Sequence, residues 1–276
     1  MSNDLTRHDD LAERPSPARM FDYYLGGHHN FAIDREAAET IRMVYHDLFL
    51  AARTSRAFLR RVVTFLSQQG IDQFLDLGAG IPTVGNTHEI AHTFNPAARV
   101  LYVDNDPIAV SHGQAILHGE TTMMIQADLC QIERLLHDAA LRQHLDFTRP
   151  IGVLLVAVLH YMPDDTTAQR IVQTLREAIP AGSFIVITHG TIQNAPPEVI
   201  AQIEQTYARS TNPVRLRSYG AIHQLFAGLD LVAPGLVYAP LWRPEESDDL
   251  LLDDPARSLN LAGVGVVGAT HPAANG

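Results

Sequence analysis

The sequence predicts an α/β fold with a doubly wound, mainly parallel sheet. Between residues 71 and 190, short apolar runs alternate five times with amphipathic helical patterns, and such alternation is typical of strand–helix units in a parallel sheet. The first run, Phe74 to Gly80, ends in two glycines separated by an alanine, which lets the backbone approach a ligand closely. The fourth run, Ile151 to Val158, is almost wholly apolar, as expected of a strand covered on both faces.

Residues 1 to 70 precede this alternation and predict an N-terminal helical segment. Residues 1 to 14 are polar, mixed in charge and without hydrophobic periodicity, which predicts a flexible tail. Residues 15 to 70 predict a helical cap, whose first part places three aromatic residues before a Gly-Gly break. Two interpretations of this first part stay open: a helix that covers one sheet face, or a lid over a ligand.

Two amphipathic helices follow within the cap. Their apolar stripes consist of Ala37, Ile41, Val44, Tyr45 and Leu48 in the first and Phe58, Leu59, Val62, Val63 and Leu66 in the second. Four arginines of the second helix lie mostly off its stripe and predict a solvated face: Arg53, Arg56, Arg60 and Arg61. The alternative is that Arg53 or Arg56 reaches a bound carboxylate.

The strands of the sheet are expected where the apolar runs fall. The five parallel ones are Gln73 to Leu77, Arg99 to Val103, Thr122 to Gln126, Ile151 to Val158 and Phe184 to Thr188. Beyond residue 190, the strand-like segments Leu229 to Ala239 and Ala262 to Ala269 are joined by an acidic loop without a helix, so we expect them to pair antiparallel. The sequence has no internal repeat, and residues 71 to 276 are predicted to form one core.

The composition excludes several kinds of protein. The formal net charge of −11 argues against a nucleic-acid partner, because phosphate backbones require clustered Lys and Arg. The single cysteine, Cys130, permits neither an internal disulfide nor a zinc site built from thiolates. No stretch approaches the ~18 consecutive apolar residues of a membrane span, and the polar N-terminus lacks a secretory pattern. We therefore expect a cytoplasmic protein that acts on small molecules and has no membrane partner.

The candidate site lies where the parallel strands end, because ligands of such sheets bind at the carboxyl ends of the strands. The residues at those ends are Asp76, Gly78, Ala79, Gly80, Asp104, Asp128, Ala157, His160, Tyr161 and His189. The Gly-x-Gly pattern alone also fits an ordinary strand-to-helix turn. An acid about 20 residues beyond a glycine turn is placed to accept ribose hydroxyls, and Asp104 lies 24 residues beyond Gly80. Asp106 and Pro107 account for the next helix start, so Asp104 is either a ribose ligand or a solvated strand-end acid.

In these features the chain resembles class I S-adenosylmethionine (SAM)-dependent methyltransferases. The resemblance covers residues 71 to 270 and rests on four motifs in order: Leu75–Gly80, Tyr102–Pro107, Gln126–Leu129, and Val158–Tyr161 followed by Pro180–Ser183. It implies a Rossmann-like sheet of seven strands with the last strand antiparallel. A narrower similarity, to a bacterial family of SAM-methyltransferase-like proteins, includes the cap through Arg19–Gly27 and Asn30-Phe31, with Gly80–Thr83 and His88-Glu89.

The resemblance implies SAM as cofactor, with S-adenosylhomocysteine (SAH) as product. The backbone of Gly78 to Gly80 is expected against the methionine portion of the cofactor, and Asp104 at the ribose hydroxyls. Asp128 is expected at the adenine amino group, with Leu129 stacking nearby and Ala157 at the cofactor's amine. For Asp128 the alternative is a helix N-cap. The other residues expected to bind the cofactor are Asp76, Ala79 and Asn105.

Methyl transfer requires alignment of acceptor and methyl group, exclusion of water and, for a hydroxyl or ammonium acceptor, removal of a proton. His160 and Tyr161 leave the fourth strand where the methyl should point, so both are candidate catalytic residues. His160 is the candidate general base, the alternative being helix capping or packing against the cap. Candidate acceptor-binding residues are Tyr23, Tyr24, Asn30 and His189.

Two differences from the sequence motifs of related methyltransferases narrow the predicted reaction. The fourth strand lacks the Asp/Asn-Pro-Pro-aromatic tetrad of enzymes that methylate amino groups of nucleobases or glutamine. Asp164 and Asp165 resemble a helix start rather than a metal site, so no metal is expected. The sequence thus predicts O- or N-methylation of a small-molecule acceptor, with the acceptor and the oligomeric state left open. Alternatives are a non-catalytic SAM- or SAH-binding sensor or partner module and, less favoured, an NAD-dependent dehydrogenase, whose third glycine is replaced here by Thr83.

Overall fold

The computed structural model describes residues 13–82, 85–117, 119–245 and 250–268. Eight strands form one sheet: β1 (Gln73–Leu77), β2 (Arg99–Asp104), β3 (Thr122–Gln126), β4 (Gly152–Leu155), β5 (Phe184–Gly190), β6 (Asp230–Leu231), β7 (Val237–Tyr238) and β8 (Asn260–Val266). The α-helices are α1 (Pro17–Tyr24), α2 (Ala32–Arg42), α3 (Leu48–Gln68), α4 (Thr87–Phe94), α5 (Pro107–Ile116), α6 (Ile132–Leu136), α7 (Ala139–His144), α8 (Asp165–Ala178), α9 (Pro197–Tyr207) and α10 (Tyr219–Gln224). No helix in these ranges is both long and apolar enough to cross a membrane.

The strand order is β3-β2-β1-β4-β5-β8-β6, and β7 also pairs with β8. Strands β1 to β5 are parallel, whereas β8 is antiparallel to β5, β6 and β7. The order reverses between β1 and β4, which creates the crevice where ligands of doubly wound sheets bind. The predicted α/β, Rossmann-like sheet with an antiparallel last strand is therefore confirmed.

The strand count is eight rather than the expected seven. The single strand expected at Leu229 to Ala239 is divided into β6 and β7 by a turn at Pro234 and Gly235. Gly235 has φ +90°, and its N–H donates to the Val232 carbonyl at 2.8 Å. Both short strands still pair antiparallel with β8, so the predicted pairing direction is correct. Thr83, the position of the missing third glycine, lies outside the described residues.

Apolar side chains bury both faces of the central strands. In β1, Leu75 and Leu77 belong to the cluster on one face, and Phe74 belongs to the cluster on the other face, which includes Phe58 and Trp242. Successive side chains of a strand point to opposite faces, so Asp76 shares the face of Phe74, under helix α3. This alternation places one carboxylate between the sheet and the cap.

The cap is built from two distant parts of the chain. Residues of α1 and α2, such as Met20 and Ile41, form a third apolar cluster with Val199 and Tyr207 of α9. The first predicted cap helix is shorter than expected, because α2 ends at Arg42 and α3 begins at Leu48. The boundary of the cap at residue 70 and the flexible tail, most of which lies outside the described residues, stay predictions.

Buried polar contacts fasten α1 to the sheet side of the molecule. Arg19, which is fully buried, donates from Nε to Asp34 at 2.7 Å. The hydroxyl of Ser16 donates to Asp106, at the start of α5, and the backbone N–H of Ser16 donates to Asp34 at 2.9 Å. Arg19 and Ser16 thus both contact the buried carboxylates of Asp34 and Asp106. These contacts hold α1 in a defined position over the strand ends.

Candidate active site

A cavity at the carboxyl ends of the parallel strands encloses about 1070 Å³, open solvent at its mouth included. All nine residues predicted to bind the cofactor line it: Asp76, Gly78, Ala79, Gly80, Asp104, Asn105, Asp128, Leu129 and Ala157. The structure thus brings the three strand-end carboxylates and the glycine turn together, while their binding roles stay predictions.

The glycine turn after β1 is shaped by two positive φ angles, +71° at Gly78 and +67° at Gly80. A Cβ at Gly78 would lie 2.2 Å from Cγ2 of Val158, so only glycine fits against the exit of β4. A Cβ at Gly80 would meet no atom within 4 Å. Gly78 is therefore required by packing as well as by conformation, and Gly80 by conformation alone.

Asp104 is held by backbone N–H groups on both oxygens. Gly80 donates to Oδ2 at 2.7 Å, and Asp106 donates to Oδ1 at 2.9 Å. Burial raises the pKa of Asp104 to about 6, against the lowering effect of these N–H groups. Each carboxylate oxygen keeps a further lone pair for a ligand hydroxyl. Asp106 caps α5 through the N–H of Ile108 at 2.8 Å, as predicted.

Asp76 and Arg56 form a charged wall at the end of β1. Asp76 accepts from the hydroxyl of Thr87 at 2.7 Å, and burial raises its pKa to about 6. Arg56, from α3, lines the same cavity, and burial lowers the pKa of its guanidinium. The Nε of Arg56 is buried and has no hydrogen-bond partner. Arg56 therefore does not belong to the solvated face expected for the α3 arginines.

Asp128 and Ala157 occupy the next two strand exits. Asp128 accepts from the N–H of Cys130 at 2.8 Å and so caps the short 3₁₀ turn Leu129–Gln131, the alternative role considered for it. Ala157 has φ +57°, a left-handed conformation that is uncommon for a residue with a Cβ. Its N–H donates to the hydroxyl of Thr188 at 2.8 Å. Strained residues of this kind cluster at ligand sites.

Comparison with known proteins identifies the family. A family model described as S-adenosyl methyltransferase matches residues 5–268. The chain belongs to this family. A crystal structure from Thermobifida fusca YX, provisionally assigned as a methyltransferase, is 37% identical over 97% of this chain and 100% of its own, with a TM-score of 0.87. A DUF574 family protein from Streptomyces avermitilis MA-4680 is 34% identical over 92% of this chain and 98% of its own, with a TM-score of 0.86.

More distant matches show the fold alone. An O-methyltransferase family protein from Burkholderia thailandensis is 16% identical over 82% of this chain and 60% of its own, with a TM-score of 0.53. No curated protein matches the methyltransferase. The family match confirms the resemblance drawn from the four sequence motifs, and the cofactor of this methyltransferase is SAM.

Of the two predicted catalytic residues of the methyltransferase, Tyr161 lines the cavity and His160 does not. The Nδ1 of His160 accepts from the N–H of Gly190 at 3.3 Å, and its ring packs between the rings of Tyr161 and His189. Burial lowers the pKa of His160 well below its usual value. His160 therefore lies off the cavity lining and packs on Tyr161 and His189, neither of which belongs to the cap; its role as general base stays a prediction.

Tyr23 and Tyr24, predicted to bind the acceptor, also lie off the cavity lining. The hydroxyl of Tyr23 donates to Glu39 at 2.9 Å. Tyr24 is buried in the cap, where its hydroxyl lies 3.1 Å from that of Tyr207. Both phenols thus have partners within the cap, because α1 turns them toward α2 and α9 rather than toward the strand ends.

Asn30 and His189 complete the predicted acceptor set and likewise have structural partners. Asn30 donates to Asp22 at 2.8 Å, which closes the turn after α1. His189 is fully buried; its Nδ1 lies 2.7 Å from the carbonyl of Gly190, and its Nε2 lies 2.8 Å from Arg217. These bonds fix one neutral tautomer, with Nδ1 donating and Nε2 accepting, so His189 is not available to an acceptor.

Asp164 and Asp165 lie at the start of α8, as predicted. Asp164 accepts from the N–H of Thr167 at 2.7 Å, and Asp165 accepts from Arg217 at 2.8 Å. Throughout the described ranges, no three side chains of His, Cys, Asp or Glu are arranged so that they could hold a metal ion.

The second wall of the cavity was largely missed by the sequence prediction. It consists of residues from α1, α3 and two loops: Ser16, Pro17, Ala18, Phe21, Ser55, Leu59, Met162 and Asn212. Asn212 faces Asn105 across the cavity, with amide contacts of 3.4 and 3.5 Å. Only the aromatic residues near Phe21 signalled this wall, whereas nothing around Asn212 indicated that it lies near the strand ends.

Proposed function

We propose that the protein transfers the methyl group of SAM to an oxygen or nitrogen atom of a small-molecule acceptor held between the strand ends and the cap. One observation carries this proposal. A single cavity is lined on one side by the nine predicted cofactor-binding residues and on the other by a wall from α1 and α3 that is apolar apart from Ser55 and Arg56. A cofactor on the first side would leave room for an acceptor against the second.

The residues on the sheet side fit SAM. Asp104 would accept the ribose hydroxyls with the lone pairs that Gly80 and Asp106 leave free. Asp128 would accept from the adenine amino group, and Leu129 would pack against the base. The positive φ angles at Gly78 and Gly80 would let the backbone lie close to the methionine portion.

When bound, SAM supplies a methyl group on a sulfonium, which is a good leaving group. The chain contributes alignment and water exclusion, because Phe21, Leu59 and Met162 are apolar parts of the lining. Burial, followed by the neighbouring phenol of Tyr207, raises the pKa of Tyr161 well above its usual value, so the Tyr161 phenol stays protonated and would orient the acceptor by hydrogen bonding. The described residues that line the cavity include no histidine or lysine, and its carboxylates are assigned to the cofactor or to helix caps, so the site favours an acceptor atom that is nucleophilic without a protein base.

The lack of histidine and lysine among the described lining residues also favours a second candidate function, a SAM- or SAH-binding module without catalysis. The two functions differ in one product, a methylated acceptor. Transfer of radiolabelled methyl from SAM to any compound of a panel of phenols, carboxylic acids and amines, reduced in Tyr161→Phe, supports catalysis. Normal SAH binding with no transfer to the whole panel supports the binding module.

The cofactor site is tested by calorimetric titration of SAH into the wild type, Asp104→Ala and Glu36→Ala, with NAD as control ligand. Glu36 is an exposed acid of α2 and serves as the matched control. We expect Asp104→Ala to lose most of the SAH affinity and Glu36→Ala to bind as the wild type does. Equal SAH binding by all three proteins, or a preference for NAD, would refute the proposed site.

A further inference from the structure

Arg56 presents to the cavity a half-buried guanidinium whose Nε is buried and has no hydrogen-bond partner. It lines the cavity beside the end of β1, and its buried Nε donates no hydrogen bond. Within the described residues, no carboxylate lies within ion-pair distance of it; the charge with the largest influence on it is that of Asp76. Burying a charged donor without a partner is costly, so this geometry is expected where a ligand supplies the missing acceptor.

The other arginines of α3 each have a different environment. Arg53 is exposed, and Arg60 forms a surface ion pair with Glu245 at 2.7 Å. Arg61 is buried and donates to the backbone carbonyls of Trp242 and Ala239 at 2.9 and 2.8 Å, so it too departs from the expected solvated face. Of these four side chains, Arg56 is the one that lines the cavity.

The groups around the guanidinium come from the cap and from the sheet. Its Cζ lies 5.8 Å from the centroid of the Phe21 ring, and Phe21 belongs to α1, which is fastened to α5 through Ser16 and Asp106. On the sheet side, Asp76 is fixed by the hydroxyl of Thr87. The end of the cavity at β1 therefore carries one positive and one negative group, held by the cap and the sheet respectively.

We infer that Arg56 binds the α-carboxylate of the amino-acid portion of SAM and SAH, while Asp76 balances the charge of the α-ammonium. This inference rests on the proposed function, since it places the methionine end of the cofactor at β1. A guanidinium donates to a carboxylate in bidentate geometry, and an adjacent carboxylate suits an ammonium. Helix α3 of the cap is thereby a specificity element, which selects the intact cofactor against adenosyl thioethers that lack the α-carboxylate.

The test compares three ligands by calorimetry: SAH, its decarboxylated analogue, and 5′-methylthioadenosine, which lacks the whole amino-acid portion. The proteins are the wild type, Arg56→Gln, Arg56→Lys and the matched control Arg53→Gln. We expect Arg56→Gln to lose about 10- to 100-fold in SAH affinity, the loss typical of hydrogen bonds to a charged group. Its affinity for the two ligands without a carboxylate should change less than about twofold, and Arg56→Lys should recover part of the SAH affinity.

The outcomes separate the inference from the proposed function. If the wild type does not bind SAH, the proposed function fails and the inference fails with it. If the wild type binds SAH but Arg56→Gln weakens all three ligands equally, the guanidinium supports the cavity wall rather than the carboxylate, and only the inference is overturned. A thermal melt of each ligand-free variant identifies any protein that does not fold, in which case Arg56→Lys carries the comparison.

Discussion

The glycine turn offers a quantitative test of the geometry of the site, by the pair of substitutions Gly78→Ala and Gly80→Ala. An L-residue in the left-handed region costs about 1–2 kcal/mol, and this cost applies at both positions, whose φ angles are +71° and +67°. At Gly78 the new Cβ would also lie 2.2 Å from Cγ2 and 2.6 Å from Cβ of Val158. Rotation of Val158 moves its methyl groups but not its Cβ, so the backbone must shift, which adds about 1–3 kcal/mol of overpacking.

We therefore expect Gly80→Ala to lower the free energy of unfolding by about 1–2 kcal/mol and Gly78→Ala by about 2–5 kcal/mol. Urea denaturation monitored by circular dichroism measures both values. Gly78→Ala should also weaken SAH binding more strongly, because a displaced Val158 moves the adjacent cavity residue Ala157. Equal destabilisation by the two substitutions would show that the close approach at Val158 is absent, and the account of this turn would be wrong.

Four further predictions concern buried charges and the adjacent residues His160 and Tyr161. Asp76 and Asp104 both have pKa values of about 6, and both are proposed to bind ligand groups when ionised. SAH affinity should therefore fall about tenfold per carboxylate from pH 7 to pH 5; a flat calorimetric profile would contradict this. The same raised pKa values have the opposite effect on the stability of the ligand-free protein. They stabilise the fold at low pH, and this contribution is lost as pH rises through about 6. His160→Ala should destabilise the fold yet leave SAH affinity within about twofold. Tyr161→Phe should keep SAH affinity and lower methyl transfer. Loss of SAH binding in His160→Ala alone would show that His160, rather than Tyr161, belongs to the site. Asp34→Ala removes the carboxylate that pairs with the buried Arg19 of α1. The free energy of unfolding, measured in urea, should therefore fall by about 3–5 kcal/mol. A decrease below about 1 kcal/mol would show that this ion pair does not hold α1.

The sheet and the cofactor side of the site were predictable because their determinants are local in the sequence. The bounds of β1 and β3 agree with the prediction, since each strand is a short apolar run ended by a polar residue or a glycine. Parallel strands bring their carboxyl ends to one edge, so Gly80, Asp104 and Asp128 meet although they are far apart in the chain. Their meeting requires only the correct strand order.

The exit of β4 could not be predicted at the level of single side chains. The strand ends at Leu155, earlier than the apolar run suggests, and Ala157 then adopts a left-handed conformation. A 3₁₀ turn over Leu159–Tyr161 follows. These changes of direction turn Tyr161 toward the cavity and His160 toward His189, and apolar patterning contains no signal for such a reversal between adjacent residues.

The cap side of the cavity is harder to predict from the sequence than the strand ends, because it is assembled from segments that share no local pattern. Phe21 comes from α1, Leu59 from α3 and Asn212 from the loop after α9, and they converge on the cavity through the apolar packing of α1, α2 and α9. The aromatic residues that stand out in the sequence, Tyr23 and Tyr24, are used for that packing instead. It follows that the determinants of the acceptor lie on a wall created by tertiary contacts, and that substitutions there, rather than at the strand-end motifs, are the ones expected to change which molecule is methylated.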